Sequence, residues 1–273
     1  PLLRKHAPQA RVLFDTVDLH YLRERRAADL SGDAAALRAA LRTRELELGL
    51  IANADATLVV SEVERNLLAI DAPRADVRVL SNLHETAASG PGWSQRKDLL
   101  FVGGFRHPPN VDAVLWFVRE AFPRIRAALP DMQFHCIGGD VPAEVQALSS
   151  IDGVRIHGHV PDLQPWLDGC RISVAPLRYG AGVKGKVNQA MAHGLPVVAT
   201  TPAVEGMHLV DGVDVLVADD ANAFADAALR LHGDEALWNR IAANGRANVA
   251  RHFSMDAARE VVRELFLSGP RAR

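Results

Sequence analysis

The chain has 273 residues, 48% of them hydrophobic and 23% charged, with a formal net charge of −2; this is globular composition for one or two domains and excludes fibrous or low-complexity classes. Residues 1–96 hold 13 basic and 13 acidic side chains and residues 97–273 hold 18 and 20, so neither part has the basic excess of a nucleic-acid binder. No apolar run reaches the roughly 20 residues of a membrane span, no signal peptide is visible, and two cysteines, Cys136 and Cys170, make no disulfide framework, which predicts a reducing, cytoplasmic setting.

Strand-like and helix-like segments alternate along the chain. The run "RVLFDTVD" (11–18) predicts a strand, and 33–54 has apolar residues at helical spacing. A short β-branched run follows at 56–60. Ser61 and Glu64 then form a capping-box pattern before "VERNLLAI". Residues 76–80 predict a third strand. The stretch 82–98 has turn formers and no periodicity, which predicts a linker.

Beyond it the alternation restarts with six predicted strands, at 98–103, 132–138, 154–158, 171–176, 196–200 and 214–219. Helical patterns separate most of them, for example 110–129. Near-continuous apolar strands between amphipathic helices predict a parallel sheet covered on both faces. Six strands suit a doubly wound, Rossmann-like domain. The last helices are predicted at 235–251 and 254–267, with Ser254 as N-cap of the final one. The first part, with three strands, reads as the second half of a similar domain. Since the chain begins at Pro1, the expectation is a piece of a larger, multidomain polypeptide.

The densest chemistry lies in "RYGAGVKGKVNQAMAHGLPVVAT" (178–200). The chain has only four lysines, at 5, 97, 184 and 186, and two fall here. The loop follows a strand, a helix is predicted from about Lys184 to His193, and Gly194 stops it as a C′ residue. Gly180, Gly182, Val183, Lys184 and Lys186 therefore sit at a helix N-terminus on the ligand-binding edge of the sheet. Cations there oppose the helix dipole by a few tenths of a kcal/mol, and Gly185 in the first turn costs up to about 1 kcal/mol relative to Ala. A bound phosphate or diphosphate would reverse both terms. The other reading is a tight turn with two solvated lysines.

These pieces resemble the glycosyl transferases "group 1" family of retaining GT-B enzymes. From about Leu99 onward the matching stretches are "LLFVGGFRHPPNVDAVLWF", "GVRIHGHVPDLQPWL", "ISVAPLRYGAGVKGKVNQAMAHGLPVVATT" and "AVEGMHLVDGVDVLVADD". "DTVDLHYLRER" and "ADATLVVSEVERNLL" resemble the back half of the family's first domain. The resemblance implies an α/β GT-B fold of two Rossmann-like doubly wound domains, the N-terminal one incomplete. Residues 1–96 would be the acceptor-side part with its linker, and 97–273 the donor domain, the last helix crossing back to the first domain.

The resemblance further implies a nucleoside diphosphate sugar donor, transfer with retention, and a glycan or lipid-linked acceptor at the inner face of a membrane with peripheral association. It implies no cofactor and no metal, since helix dipole and basic residues stand in for one. It carries the phosphate site onto Gly180, Gly182, Lys184 and Lys186. The family motif has a glutamate, seven residues and a second glutamate that binds the ribose hydroxyls; here they fall on Ala181 and Gln189. A carboxylate–hydroxyl bond is worth about 1.5–3 kcal/mol against about 0.5–1.5 for a neutral one. Gln189 should therefore weaken the donor by roughly 5–30-fold. Loss of both glutamates keeps open a non-catalytic, degenerate GT-B binding module, and a nucleotide-sugar epimerase shares the fold.

Other candidates follow the ligand edge. Gly104 and Arg106, past the first strand of the second domain, lie where such a fold addresses phosphates, with Gly103 and Gly104 permitting close backbone approach. Arg106 would clamp the diphosphate with Lys184 or else be a solvated loop residue. Glu205 follows the fifth strand and would face the donor sugar or close a turn. Asp18 and His20 follow the first strand and would contact the reacting sugar, or be loop residues without a role. His157 and His159 lack a third zinc ligand in sequence. Asp219 and Asp220 fit the N-cap of a helix over 221–232 better than a metal motif.

Overall fold

The computed structural model of the chain describes residues 5–86 and 90–267. Residues 87–89 of the expected linker lie outside the described residues; Trp93–Gln95 of it form a 3₁₀ turn. Contacts divide the chain into two compact units. One holds the residues up to Asn82 together with Gly180–Val183 and the chain from Met255; the other holds Leu83–Tyr179 and Lys184–Ser254.

The first unit has a parallel three-stranded sheet, β1 (Leu13–Asp15), β2 (Ala56–Val59) and β3 (Val77–Val79), in that spatial order. Its helices are α1 (His20–Ser31), α2 (Ala34–Asn53) and α3 (Glu62–Asp71). Leu19, Tyr21, Ile51, Val59 and Leu68 form its core. Strand β1 ends sooner than the predicted 11–18 because Val17 takes a φ of +61°. The Asp18 N–H donates to Thr16 O at 2.6 Å across that residue, a tight three-residue turn incompatible with extended chain. The α2 prediction holds within one residue, with Asp33 capping the amides of Ala35 and Ala36 at 2.7 and 3.2 Å.

Helix α1 was not legible in sequence, because its N-cap position holds Leu19, which offers no side-chain cap. Half of the expected capping box at α3 forms: Ser61 Oγ accepts from the Glu64 N–H at 3.3 Å. The Glu64 carboxylate does not return to Ser61. It accepts instead from the Val60 N–H at 3.2 Å and the Leu19 N–H at 3.1 Å.

The second unit follows the chain as β4 (Lys97–Val102), α4 (Pro108–Trp116), a π-helical turn (Phe117–Ala121), α5 (Phe122–Ala128), β5 (Phe134–Ile137), α6 (Ala143–Gln146), β6 (Val154–Gly158), α7 (Gln164–Gly169) and β7 (Cys170–Ala175). It continues with α8 (Gly185–Ala192), β8 (Val197–Ala199), α9 (Thr201–Val204), β9 (Leu216–Val217), α10 (Ala221–Gly233) and α11 (Glu235–His252). The final helix, α12 (Met255–Leu267), belongs to the first unit, where Leu265 packs on Ala56 and Leu58. All six strands are parallel, in the order β6-β5-β4-β7-β8-β9, the doubly wound arrangement the alternation predicted.

The single helix predicted over 110–129 is interrupted. Pro123 has no N–H and crowds the preceding carbonyls, and the helix absorbs one extra residue, the Phe122 N–H donating to Phe117 O. The π turn aims Phe117 into the core, 4.8 Å from Phe134 and 5.8 Å from Phe224 between ring centres.

Candidate functional site

Strand order reverses between β4 and β7, which pair through Leu99–Ile172 and Leu100–Ser173. In an open parallel sheet this switch point opens a crevice beyond the carboxyl ends of the two strands. The loop from Gly103 follows β4, and the chain leading to Lys184 follows β7. The sheet thus gathers the glycine–arginine turn and the lysine helix at one place in the second unit.

Lys184 is the N-cap of α8 and is buried, 8% exposed. The Lys184 side chain does not cap this helix, and a helix start without a cap of its own offers N–H groups to an anion. Lys186 lies in the first turn. Its Nζ bonds to Asn110 Oδ1 and stands 4.3 Å from the centre of the Phe101 ring. Burial pushes this ammonium down to about 7, and the charge of Lys184 pushes the same way. Two lysines at a helix N-terminus, one of them with its ammonium destabilised by burial, make an arrangement that an anion would complete.

Glycines keep the crevice open. A Cβ on Gly103 would lie 2.7 Å from Lys186 Nζ and 2.8 Å from Asn110 Nδ2. A Cβ on Gly138 would lie 2.0 Å from the Gly103 carbonyl oxygen. Asn110, 4% exposed, donates to Gly104 O at 2.7 Å and so ties the β4 turn to α4. Gly138 and Asn110 were missed in sequence; "PPN" and "GG" are too common to single out. At the far end of α8, the fully buried Arg96 donates to His193 O at 3.2 Å, Cys170 O at 3.2 Å and Pro91 O at 2.8 Å. Among the described residues neither amide atom of Asn188, on the buried face of α8, finds a hydrogen-bond partner.

Gln189 is half-buried on α8, three residues after Lys186. Arg106 is 85% exposed and pairs with Asp140 at 3.0 Å, an ion pair that a phosphate would have to displace. Glu205 ends the short α9 and is followed by Gly206 at φ +73°. Asp220 caps α10 at Ala223 N, 2.9 Å, and Asp219 binds the N–H and hydroxyl of Thr201, each at 2.7 Å. His157 pairs with His135, Nε2 to Nδ1 at 2.9 Å, rather than with His159. Among the described residues no three metal-ligating side chains come together. Both cysteines are buried and free, and burial pushes both thiols up to about 12.

In the first unit the β1–α1 turn presents Asp18 and His20. Asp18 is 9% exposed and pairs with Arg23. The His20 Nδ1 lies 3.1 Å from Glu47 Oε1 and 3.4 Å from Asp18 Oδ1, while half the side chain is exposed. The loop Gly180–Val183 is grouped with this unit. Gly182 takes a φ of +66°, and a Cβ there would lie 2.8 Å from Asp18 Cβ. Gly180 O accepts from Arg26 at 2.7 Å, and Val183 is buried. The geometry thus brings Asp18 and His20 together, with Glu47 as a partner that sequence reading did not anticipate.

The chain belongs to the glycosyl transferases group 1 family, whose profile matches residues 96–234. A curated relative, an uncharacterized 44.6 kDa protein in the cps region of Klebsiella pneumoniae, is 30% identical over 136 residues, which is 47% of this chain and 35% of that one. Among solved structures, a point mutant of TarM of S. aureus, in complex with fondaparinux, α-GlcNAc-glycerol and UDP, superposes with a TM-score of 0.71 at 16% identity over 83% of this chain and 47% of its own. HepE of Anabaena, in complex with UDP and glucose, gives 0.68 at 14% identity over 94% and 72%. The pneumococcal O-GlcNAc transferase GtfA, in complex with UDP and GlcNAc, gives 0.64 at 13% over 83% and 48%. The chain spans about a third of the curated relative and about half of TarM. The fold these share is the GT-B fold that the sequence resemblance implied.

Proposed function

We propose that this chain is the donor-binding domain and part of the acceptor-side domain of a glycosyltransferase. The enzyme moves a sugar from a nucleoside diphosphate sugar, with retention, to a glycan or lipid-linked acceptor. The observation that carries this reading is the pair Lys184 and Lys186 at the uncapped start of α8, beside the Gly103–Gly104 turn at the sheet's switch point. Positive charge aimed at the leaving diphosphate stabilises the charge that develops as the glycosidic bond breaks.

Roles follow from placement. The α8 N–H groups, Lys184 and Lys186 hold the diphosphate; Gln189 accepts from a ribose hydroxyl; Arg106 leaves Asp140 for a phosphate oxygen. Glu205 meets the donor sugar, and Asp18 and His20 meet the reacting sugar from the first unit. No metal is required, because helix and lysines supply the cationic character. The cps-region relative supports polysaccharide biosynthesis as the setting. The proposed location is the cytoplasmic face of a membrane; no described helix is long and apolar enough to cross one.

Ala181 and Gln189 at the family's acidic positions favour a second reading, a binding module without turnover. Incubating the full-length protein with a panel of radiolabelled nucleotide sugars separates the two. Transfer or hydrolysis of one donor is the expected result. Absence of both with every donor would overturn the catalytic reading in favour of the module.

A further inference from the structure

His20 opens α1, and the turn before it is held in an unusual way. The Glu47 carboxylate, from α2, accepts from the His20 N–H through Oε1 at 3.1 Å and from the Tyr21 N–H through Oε2 at 2.8 Å. The same Oε1 lies 3.1 Å from His20 Nδ1. One buried side chain, 6% exposed, therefore grips both the backbone and the ring of a single histidine. Glu64, from α3, holds the preceding N–H of Leu19, and the ring's ion-pair partners among the described residues are Glu47 and Asp18. Val17, β-branched and 67% exposed, sits at a φ of +61° in the turn. Such a conformation is strained for a β-branched residue and persists where surrounding structure imposes it.

The chemistry of the ring follows from its neighbours. The groups facing Nδ1 are Glu47 from α2 and Asp18 from the turn, with Arg23 of α1 pairing with Asp18. Ionised carboxylates only accept. Nδ1 must therefore carry the proton, and in the neutral ring Nε2 keeps its lone pair.

We infer that Glu47 is a positioning residue for His20: its carboxylate fixes the ring with the proton on Nδ1 and leaves the Nε2 lone pair to accept a hydrogen bond from a sugar hydroxyl. This rests on the reading of the chain as a glycosyltransferase that uses His20. Glu47 touches no substrate in this role. It sets tautomer and orientation, as a carboxylate behind a ligating or basic histidine does elsewhere.

The test reads the tautomer directly. Two-bond ¹⁵N–¹H correlation spectra of the labelled chain near pH 8, above the ordinary imidazole range, should show His20 protonated on Nδ1; protonation on Nε2 would overturn the inference without any variant. Glu47→Gln should move the proton wholly or partly to Nε2, whereas Glu64→Gln, which removes a cap but not a ring contact, should keep the wild-type signature. An unchanged tautomer in Glu47→Gln sinks the proposal. In the full-length enzyme Glu47→Gln should lower kcat by about tenfold to a hundredfold with donor KM unchanged, and Glu47→Asp should recover part of it. In a His20→Ala background Glu47→Gln should cost nothing further, and additive losses would count against it. Absence of turnover in the wild type would defeat the enzymatic reading and leave the spectra to decide for Glu47.

Discussion

The ammonium of Lys186 stands 4.3 Å from the ring centre of Phe101, the fifth residue of β4, with Asn110 Oδ1 as its hydrogen-bond acceptor. A cation over an aromatic face is favourable, yet it is a poor substitute for water. Burial accordingly brings this lysine down to about 7.

Nucleotide affinity should therefore depend on pH. On the proposed function a diphosphate binds the charged ammonium, which the free protein loses as pH rises through about 7. The phosphate's own last proton leaves near pH 6, so the range above about pH 7 isolates the lysine. Calorimetry with UDP and GDP should show affinity falling with pH there, by up to about tenfold per unit. Lys186→Met should bind more weakly and lose this slope. Stability has the opposite sign: the folded value lies below the unfolded 10.5, so the unfolded state holds more protons between about 7 and 10.5 and stability rises with pH across that window. The Met variant should lose that rise in urea titrations.

Lys184→Ala should weaken UDP or GDP binding tenfold or more, about 1.4 kcal/mol, since a charge-assisted contact is removed from a buried position. Unchanged calorimetric affinity for both nucleotides would remove Lys184 from the phosphate site.

Gln189→Glu places a carboxylate where the sequence resemblance puts the ribose-binding glutamate. A gain of roughly 5–30-fold in donor affinity is expected, the converse of replacing a charged acceptor by a neutral one. No gain in calorimetric affinity would mean that Gln189 does not meet the ribose.

Gly138 and Gly139 make an internal control. A Cβ on Gly138 meets the Gly103 carbonyl oxygen at 2.0 Å, whereas a Cβ on Gly139 meets nothing nearer than His159 Cβ at 3.9 Å. Gly138→Ala should cost about 1–3 kcal/mol by displacing the β4 turn and should weaken nucleotide binding with it. Gly139→Ala should leave both nearly unchanged. Denaturant titration and calorimetry on the pair check the contrast.

Asn188 is fully buried on α8 with both amide atoms unpaired. Each unmade bond costs about 1–3 kcal/mol, and leucine has similar volume without the polar atoms. Asn188→Leu should raise stability by about 1–3 kcal/mol and Tm by several degrees. A lower Tm would show that the amide is satisfied in solution.

Local signals carried the sequence reading far. Apolar runs spaced by amphipathic helices made the six-stranded parallel sheet legible, because a strand buried on both faces has to be apolar throughout. The clustered lysines and glycines before a helical pattern pointed to the loop and helix start proposed to hold an anion, because free N–H groups and flexible turns are properties of short segments. Gly194, at φ +64°, ends α8 where the pattern places its stop.

What only the tertiary structure decided involves partners distant in sequence. Asn110 meets Lys186 across 76 residues, and Glu47 meets His20 across 27. Helix α1 begins without a capping side chain of its own, since carboxylates from α2 and α3 accept its first N–H groups. Gly138 is required by a carbonyl on the neighbouring strand's turn rather than by its own backbone. By itself the sequence determined most of the strands and helices and which loop is the candidate to face an anion, because periodicity, glycine and charge act over a few residues. The protonation of Lys186 and the hold on His20 were decided by packing, because desolvation and hydrogen-bond geometry exist only once remote segments meet.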